Sequence, residues 1–393
     1  MRVFDRELTA AKRLREGTHR AAAIATTLRR ARRVARAIGV TRVADVTGLD
    51  TLGIPVVSAI RPNGRSLSTS QGKGLSRDHA LASALMESIE TWHAEHLALP
   101  ITRGTYAALR ARGAIDPRRL PRPRGRLDLA APFAWVPGWE LVAGRPVLVP
   151  TDAVTLDCVF TAPPRLDVSS NGLASGNHLL EALSHGLCEV IERDAEARWR
   201  AARGRARVTL DTIDDPACRA LFAQIAADGA TVGVWDLTSD VGVPVYGCAI
   251  VVDPDQPAWR TLGAYWGFGC HLDPVIAVTR AVTEAAQTRV TYIAGSRDDF
   301  FPGDYAQAAD LDYARAVWRD LRARRGPWRD FRRAVRASAV TETFEGDLAA
   351  TVAKLGAAGA RQVIAVDLSR AEHGIPVVKV LVPGRACDVD RMG

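Results

Sequence analysis

The sequence predicts an α/β fold, of mixed α+β type with mixed sheets, in which helices and short strands alternate along one domain. Its 393 residues can bury a full hydrophobic core. A hydrophobic content of 47% and a charged content of 24% are typical of a soluble globular chain. Helical and strand periodicities alternate, and no linker is long enough to force two independent units. We therefore expect a single domain over residues 1–393.

The first third of the chain predicts two helices and two strands. Leu14, Ile24 and Val34 lie at helical spacing, and Gly39 follows them, which predicts a helix over residues 6–38. A segment rich in Pro, Gly and Arg predicts a surface loop over residues 111–127. The other predictions here are strands over residues 52–60 and 66–70 and a helix over residues 77–96.

The rest of the chain predicts the same alternation, followed by an Arg-rich helical part over about residues 303–357. The predicted strands are 133–136, 146–150, 154–160, 207–210, 231–236, 245–252, 362–367 and 375–382. The predicted helices are 178–200, 215–228, 274–294, 306–325 and 345–357.

Composition excludes several classes of protein. The six Cys are widely spread without a CxxC pair, which favours reduced thiols in a cytoplasmic protein over a disulfide framework or a structural zinc site. No apolar run is long enough to span a bilayer, and the N-terminus lacks the apolar stretch of a secretory signal. The net charge of +8 comes mostly from Arg, partly in clusters such as residues 29–36. These clusters are either solvated faces or a surface for an acidic partner.

The most informative feature is a polar face that occurs on three predicted helices. Each helix follows a glycine-containing loop, at residues 70–74, 171–176 and 267–271. Each carries a Glu, a polar residue four positions earlier, and a Glu or Gln three positions later; such positions share one helix face. The three sets are Ser83, Glu87 and Glu90; His185, Glu189 and Glu192; and Arg280, Glu284 and Gln287.

This pattern indicates a nucleotide site. Converging carboxylates repel each other and need positive charge between them, and Mg²⁺ prefers oxygen ligands that it shares with phosphates. Glycine loops at helix N-termini offer backbone N–H groups to phosphate, and Asp273 with Pro274 predicts such a helix start. Lys73, one of only four Lys, lies between two glycines as a candidate phosphate contact. The alternative is that each acidic face simply meets solvent.

In these segments the chain resembles the YcaO family. Residues 72–74 with 83–90, 171–176 with 187–194, and 280–289 are similar to its three motifs. Residues 12–20 resemble its N-terminal nucleotide-contacting segment, and residues 375–380 resemble its closing strand. One departure is Thr91, which stands where Arg often follows the second Glu of the first motif.

The resemblance implies a YcaO-like fold whose three helices converge on a Mg²⁺–ATP site, and ATP-dependent activation of a peptide backbone amide. It implies metal ligation by Glu87, Glu90, Glu189, Glu192 and Glu284. It implies ATP contacts by Lys12, Lys73, Ser83, Glu90, His185, Glu192, Arg193, Arg280, Gln287 and Arg289. Arg289 is matched by sequence alone, because an ideal helix turns it away from Glu284. No residue is expected to act as a covalent nucleophile.

The attacking nucleophile decides the product of such an enzyme. External sulfide gives a thioamide, whereas a Cys, Ser or Thr side chain of the substrate gives a thiazoline or oxazoline. Residues 52–74 are more similar to members that work with a TfuA partner in thioamide formation, and residues 385–393 lack the Pro-rich tail frequent in the cyclodehydratases. We therefore expect thioamide formation. The alternatives are an azoline-forming cyclodehydratase and an accessory factor in ribosomal-protein methylthiolation.

The resemblance also implies partners. We expect a precursor peptide or protein substrate, together with a TfuA-like protein or a peptide-clamp protein. A homodimer is the default for an enzyme of this kind. We expect neither a nucleic acid nor a membrane partner.

Overall fold

A computed structural model describes residues 1–14, 17–123, 125–159, 163–201, 206–255, 262–323 and 326–385. The strands are β1 (Arg2–Val3), β2 (Arg6–Glu7), β3 (Arg42–Asp45), β4 (Val56–Ile60), β5 (Thr69–Lys73), β6 (Thr102–Gly104), β7 (Phe133–Glu140), β8 (Arg145–Pro150), β9 (Leu173–Ser175), β10 (Ala206–Val208), β11 (Ala230–Asp236), β12 (Val245–Val252), β13 (Ala264–Cys270), β14 (Trp328–Arg329), β15 (Ile364–Asp367) and β16 (Val377–Leu381). The helices are α1 (Ile24–Ala37), α2 (Arg77–Glu95), α3 (Tyr106–Leu109), α4 (Leu179–Ala201), α5 (Pro216–Ala227), α6 (Pro274–Ala294), α7 (Pro302–Ala308), α8 (Leu311–Ala323), α9 (Phe331–Arg336) and α10 (Phe344–Ala357).

Three larger sheets organise these elements. One has the order β13-β12-β11-β10-β14, in which only the β10–β14 pair is parallel. The second is antiparallel, with the order β6-β7-β15-β16-β9 and β8 also paired to β7. The third is the antiparallel set β3-β4-β5. The fold is therefore mixed α+β with mixed sheets, as the sequence predicts.

Three strand–helix units occupy equivalent places in these sheets. The strands β5, β9 and β13 each lie at the end of their sheet, and each leads through three residues into a long helix, α2, α4 and α6 respectively. Each helix also contacts the strand of another unit: α2 contacts β9, α4 contacts β13, and α6 contacts β5. The three units thus close into a ring, and their helices are brought to a common centre.

Glycines allow each strand to approach its own helix closely. A Cβ on Gly72 of β5 would lie 2.1 Å from the backbone nitrogen of Ala84 in α2. A Cβ on Gly267 of β13 would lie 2.1 Å from the nitrogen of Ala285 in α6. In the second unit Gly186 belongs to α4 itself, where a Cβ would lie 2.8 Å from the carbonyl oxygen of Gly172. These glycines and the small helix residues serve backbone packing between neighbouring elements.

This packing corrects the prediction of glycine loops. Most of residues 70–74 and 267–271 form β5 and β13 rather than loops, and residues 171–176 contain β9. Glycine in a sequence usually indicates a turn. Here these glycines are required because the strand backbone packs closely against the helix that follows it in the chain. The true connections are residues 74–76, 176–178 and 271–273.

The long helices agree closely with the sequence. The helix predicted over residues 274–294 is confirmed at both ends, with Asp273 accepting a hydrogen bond from the Val275 N–H and Pro274 in the first turn. The helices predicted over 77–96 and 178–200 are confirmed to within one residue as α2 and α4. Core residues of α4 and α6 pack on opposite faces of the sheet that contains β11–β13. None of the described helices is long and apolar enough to cross a membrane.

Three predicted elements are wrong in whole or in part. The single helix predicted over residues 306–325 is two helices, α7 and α8, with a break at residues 309–310. The helix predicted over residues 6–38 begins only at Ile24, and the earlier segment is extended or irregular in its described part. Contacts far along the chain hold that segment: Ala11 pairs with Thr343, and the Ala10 N–H donates to Glu345 at 2.9 Å. The strand predicted over 154–160 is absent from residues 154–159, and residue 160 lies outside the described residues.

We predict that Gly267→Ala unfolds at a markedly lower denaturant concentration than the unchanged protein. The added methyl group must displace the backbone of α6, which costs about 3 kcal/mol or more. Gly356→Ala is the matched control, because nothing lies within 4 Å of its Cβ position in α10. That control gains helix propensity and is expected to be neutral or slightly more stable. Equal stability of the two variants in urea unfolding would refute the close packing.

Candidate active site

The ring of strand–helix units brings the acidic faces of α2, α4 and α6 together. Glu87 on α2 is influenced by the charge of Glu284 on α6. Glu189 on α4 is influenced by both Glu87 and Glu284. Glu90 in turn is influenced by Glu87 and Glu189. The predicted metal ligands from three separate helices therefore share one electrostatic environment, and the acidic faces do not simply meet bulk solvent.

Ser175, at the end of β9, connects two of the helices. Its backbone N–H and its hydroxyl both donate to Oε1 of Glu90, at 2.7 and 2.6 Å. The Ser175 backbone also forms a hydrogen bond with His185 of α4. One residue thus fixes an acid of α2 and the imidazole of α4. Sequence reasoning missed Ser175, although it lies within the predicted glycine loop.

Gln71 of β5 makes the corresponding connection between α2 and α6. Its backbone N–H donates to Glu87 at 3.4 Å, and its carbonyl oxygen accepts from Nε2 of Gln287 at 2.9 Å. The Gln71 side chain accepts a hydrogen bond from Thr291. Gln287, predicted to contact ATP, is therefore tied to the first strand of the ring.

Two cations neutralise Glu284. Nζ of Lys73 lies 2.7 Å from Oε2 of this carboxylate, and the Arg193 guanidinium lies 3.8 Å from Oε1. Arg193 also lies 3.6 Å from Glu192 and donates to Glu196 at 2.8 Å. Against the effect of burial, Lys73 and Arg193 hold the pKa of Glu284 below its ordinary value. Lys73 and Arg193, both predicted from the sequence, thus lie at the centre of the acidic group.

The other acids are poorly neutralised. Burial raises the pKa of Glu90 to about 8, and the negative charges of Glu87 and Glu189 add to the effect. Burial likewise raises the pKa of Glu189 and of Glu192 to about 7 in spite of Arg193. The pKa of Glu87 is raised by burial as well. These raised pKa values mean that the site lacks positive charge that a bound cation would supply.

A neutral imidazole and further cations lie close to the acids. Burial lowers the pKa of His185 well below its ordinary value, and the neighbouring cations Arg280, Arg20 and Lys73 lower it further. His185 is therefore neutral at physiological pH, so one ring nitrogen remains an acceptor when the other donates. Arg280 is oriented by a 3.1 Å hydrogen bond from Nη1 to the Cys270 carbonyl.

Two further residues that were predicted to contact ATP, Ser83 and Lys12, have different surroundings. Ser83 is half-buried on α2, one turn before Glu87. Lys12 is buried and bound to Asp347 of α10 at 2.5 Å and to the Thr341 carbonyl at 2.6 Å. Its charge reaches His271, beside Arg280, so it borders the site from the outside.

The prediction that Arg289 contacts ATP must be corrected. Its buried guanidinium donates to Oδ1 of Asp50 at 2.8 Å and to Asp228 at 3.2 Å. An offset of five residues from Glu284 places it on a different face of α6. Arg289 thus ties α6 to the neighbouring core, and we exclude it from the nucleotide site.

Three further cations lie near the site but were not predicted as site residues, although Arg20 ends the segment 12–20 that resembles the family's nucleotide-contacting segment. Arg20 is close enough to Glu90 and Arg280 to be influenced by their charges. Burial raises the pKa of Glu87 and of Glu189, and two cations oppose that rise: Arg297, held by Asp299 at 2.7 Å, acts on Glu87, and Lys379 of β16 acts on Glu189. A signal existed for Lys379, which is one of only four Lys in the chain. Arg297 follows the end of α6 without any periodic pattern.

The acidic group suits a metal that is bound partly by phosphates. Among the described residues, no three His, Cys, Asp or Glu side chains form a ready-made metal cluster. Mg²⁺ does not require one, because it usually takes one or two carboxylates and completes its shell with water and phosphate oxygens. The poorly neutralised Glu90, Glu189 and Glu192 provide such carboxylates. The side chains present therefore fit Mg²⁺ together with a nucleotide.

Comparison with known proteins identifies the class and the family. The sequence profile described as "YcaO cyclodehydratase, ATP- and Mg²⁺-binding" matches residues 71–386. The chain is thus an ATP- and Mg²⁺-dependent enzyme of the amide-modifying class. It belongs to the YcaO family.

Curated relatives support this membership over most of the chain. An uncharacterized protein in the tfuA 3′ region of Rhizobium leguminosarum bv. trifolii is 37% identical over 366 residues, which are 90% of this chain and 85% of the relative. An uncharacterized protein of Methanothermobacter thermautotrophicus is 38% identical over 370 residues, which are 91% of this chain and 93% of the relative.

Solved structures share the fold. YcaO from Methanopyrus kandleri, bound with AMPPCP and Mg²⁺, has a TM-score of 0.74 and 26% identity and covers 98% of this chain and 96% of its own. A heterocyclase in complex with substrate and cofactor has a TM-score of 0.79 and 24% identity and covers 99% of this chain. This chain spans about half (55%) of that heterocyclase.

We predict that the metal-free and nucleotide-free protein loses stability as the pH rises from about 5 to 8, and that Glu90→Gln loses less. The native pKa of Glu90, about 8, exceeds the ordinary value of 4.5. Native Glu90 therefore keeps a proton that the unfolded chain has already released, and the stability it contributes at low pH disappears through this interval. The free energy of unfolding in urea at several pH values measures the effect.

The matched control for this prediction is Glu345→Gln. Hydrogen bonds from Thr9 and Ala10 lower the pKa of Glu345 to about 2 despite some burial, so both native and unfolded forms are ionised over most of this range. Its substitution should change stability by a nearly constant amount. If Glu90→Gln keeps the full slope of the unchanged protein, the buried protonated carboxyl is contradicted.

Proposed function

We propose that this enzyme activates a backbone amide of a ribosomally made peptide or protein by phosphorylating the amide oxygen, and that external sulfide then gives a thioamide. The observation that carries the proposal is the convergence of Glu87, Glu90, Glu189, Glu192 and Glu284 from three helices around Lys73 and Arg193. Such an arrangement stabilises a metal-bound polyphosphate better than it would a neutral ligand.

The chemistry requires activation because an amide oxygen is a very poor leaving group. Hydrosulfide adds to the carbonyl carbon, and the resulting oxyanion takes the γ-phosphoryl group of ATP and releases ADP. The C–O bond then breaks, phosphate leaves together with the S–H proton, and the C=S bond forms. ATP thereby supplies the phosphoryl group, and Mg²⁺ supplies positive charge for its oxygens. The protein contributes positioning and electrostatic stabilisation, as in other phosphoryl transfers.

The roles of the side chains follow from their charge. Glu90, Glu189 and Glu192 would hold the metal, and Glu87 and Glu284 lie beside them in the same acidic group. Lys73 and Arg193 fix Glu284 and screen it from the other acids. Arg280, Ser83, Gln287 and Lys12 line or border the nucleotide side. Neutral His185 can hold a hydrogen bond to the nucleotide at the ring nitrogen that does not face Ser175.

Thioamide formation is favoured over the alternatives by one relative. The Rhizobium protein, 37% identical over 90% of this chain, is described by its place in the tfuA 3′ region. This supports a TfuA-like protein as a partner and sulfide as the nucleophile. The structural similarity to a heterocyclase favours the second candidate, cyclodehydration of Cys, Ser or Thr to an azoline. We further propose a cytoplasmic location and a homodimer.

We predict that Glu192→Gln lowers Mg²⁺-dependent ATP turnover by about a hundredfold or more, because it removes one of the carboxylates that hold the metal. The change keeps the shape of the side chain, so circular dichroism should be unaltered. Glu372→Gln is the control, since this carboxylate is 61% exposed and pairs only weakly with Arg370 at 3.7 Å. Unchanged turnover in Glu192→Gln would refute the site.

We predict that incubation with a genomically neighbouring peptide, ATP and sulfide adds to the peptide the mass difference between sulfur and oxygen. Mass spectrometry distinguishes this from loss of one water, which would show azoline formation. Omission of sulfide and of a TfuA-like protein are the controls. ATP consumption with no change in peptide mass under any of these conditions would favour the accessory role over both reactions.

A further inference from the structure

An open, basic groove lies along α1, outside the glutamate site. It has a volume of about 550 Å³ and is lined by Ala25, Leu28, Arg29, Arg32, Arg33, Arg36 and Asp78. The four arginines follow the spacing i, i+3, i+4 and i+7, so they form one stripe on the helix. With a rise of 1.5 Å per residue the stripe is about 10 Å long.

Most of these arginine side chains make no stabilising contact within the described part of the protein. Among the described residues, no hydrogen bond or ion pair holds the side chains of Arg29, Arg32 or Arg36, which are exposed. Arg33 alone is fixed, by a 2.9 Å hydrogen bond from Nη2 to the His373 carbonyl. The opposite face of α1 is apolar and packs in the core with α2. The stripe is therefore a concentrated positive charge turned away from the protein.

The groove reaches the first turn of α2, the helix that carries Glu87 and Glu90. Asp78, one of its lining residues, precedes His79 in that turn. Burial lowers the pKa of His79, and the charge of Arg20 lowers it further, so Arg20 is close by. Arg20 in turn is influenced by Glu90 and Arg280 of the site. A chain lying in the groove therefore lies beside α2, the helix that carries two acids of the site.

We propose that the stripe Arg29–Arg32–Arg33–Arg36 is a docking groove for an acidic, extended segment of the peptide substrate, an inference that rests on the proposed function. Successive side chains on one face of an extended chain lie about 6.6 Å apart, close to the spacing of arginines one helical turn apart. The apolar floor at Ala25 and Leu28 accommodates an aliphatic residue beside the acids. None of the lining residues is aromatic, so the groove offers no platform for stacking nucleic-acid bases.

The test measures binding without turnover. A fluorescein-labelled oligoglutamate peptide is titrated with the full chain, without ATP, and its fluorescence anisotropy is followed at low and high salt. The triple variant Arg29→Glu, Arg32→Glu, Arg36→Glu is expected to weaken binding at low salt by about tenfold or more and to reduce the salt dependence. Its ATP turnover is expected to stay unchanged, because these residues lie outside the nucleotide site.

The matched control carries the same change in charge elsewhere. Arg103, Arg110 and Arg112 are exposed on β6 and the turn after α3, and their replacement by Glu should leave peptide binding nearly intact. Equal loss in both triple variants would show attraction by net charge alone and overturn the proposal. So would tighter binding of single-stranded RNA or of anionic vesicles through the same arginines.

These experiments distinguish failure of the docking-groove proposal from failure of the proposed function. Glu192→Gln should bind oligoglutamate as well as the unchanged protein does. If the groove binds the peptide but no substrate is ever modified, the proposed function is wrong, and an acidic docking surface remains. If peptides are modified while the groove variant binds oligoglutamate normally, the docking groove is wrong and the proposed function remains.

Discussion

One electrostatic constraint governs this structure: carboxylates from three helices are gathered in one place, where their negative charges repel one another. Lys73 and Arg193 offset this repulsion at Glu284, whose pKa stays low despite burial. Within the part of the chain that the structure describes, no comparable neutralisation reaches Glu90, whose pKa rises to about 8. The folded chain therefore tolerates an acidic group that is stabilised only when protons or a cation are bound. Selection for stability alone would hardly retain such a group, whereas an Mg²⁺–nucleotide site requires it.

The geometry that enforces this convergence lies in the ring of three strand–helix units. Each edge strand packs closely on its own helix through glycine or alanine, and each helix then contacts the strand of another unit. Ser175 and Gln71 make these contacts specific, because each bonds groups from two different helices or units. Backbone packing therefore places the acids, and hydrogen bonds orient them. The basic groove on α1 lies outside this ring, and its lining residue Asp78 belongs to the first turn of α2.

Much of this arrangement could be predicted from local sequence. Helical periodicity with an Asp273–Pro274 start gave the bounds of α6, and the i, i+4, i+7 faces identified the acids that share the site. Failures came where distant contacts decide the structure. The segment before Ile24 has helical spacing but is held by Thr343, Glu345 and Asp347 from the other end of the chain. The glycines of β5 and β13 were predicted to lie in loops, because local sequence does not show the helix backbones against which they pack. Arg297 was not predicted because it follows the end of α6, where no periodic pattern marks it as part of the site.

Calorimetry of Mg²⁺–AMPPCP binding near pH 7, in buffers of different ionisation enthalpy, tests the central claim most directly. If one metal site is built from acids with raised pKa values, binding must expel their protons, and the measured heat must change with the buffer. Substituting Gln for one acid of each helix, Glu87, Glu189 and Glu284 in turn, should weaken binding in every case. Binding that releases no protons and tolerates all three substitutions would contradict a shared site.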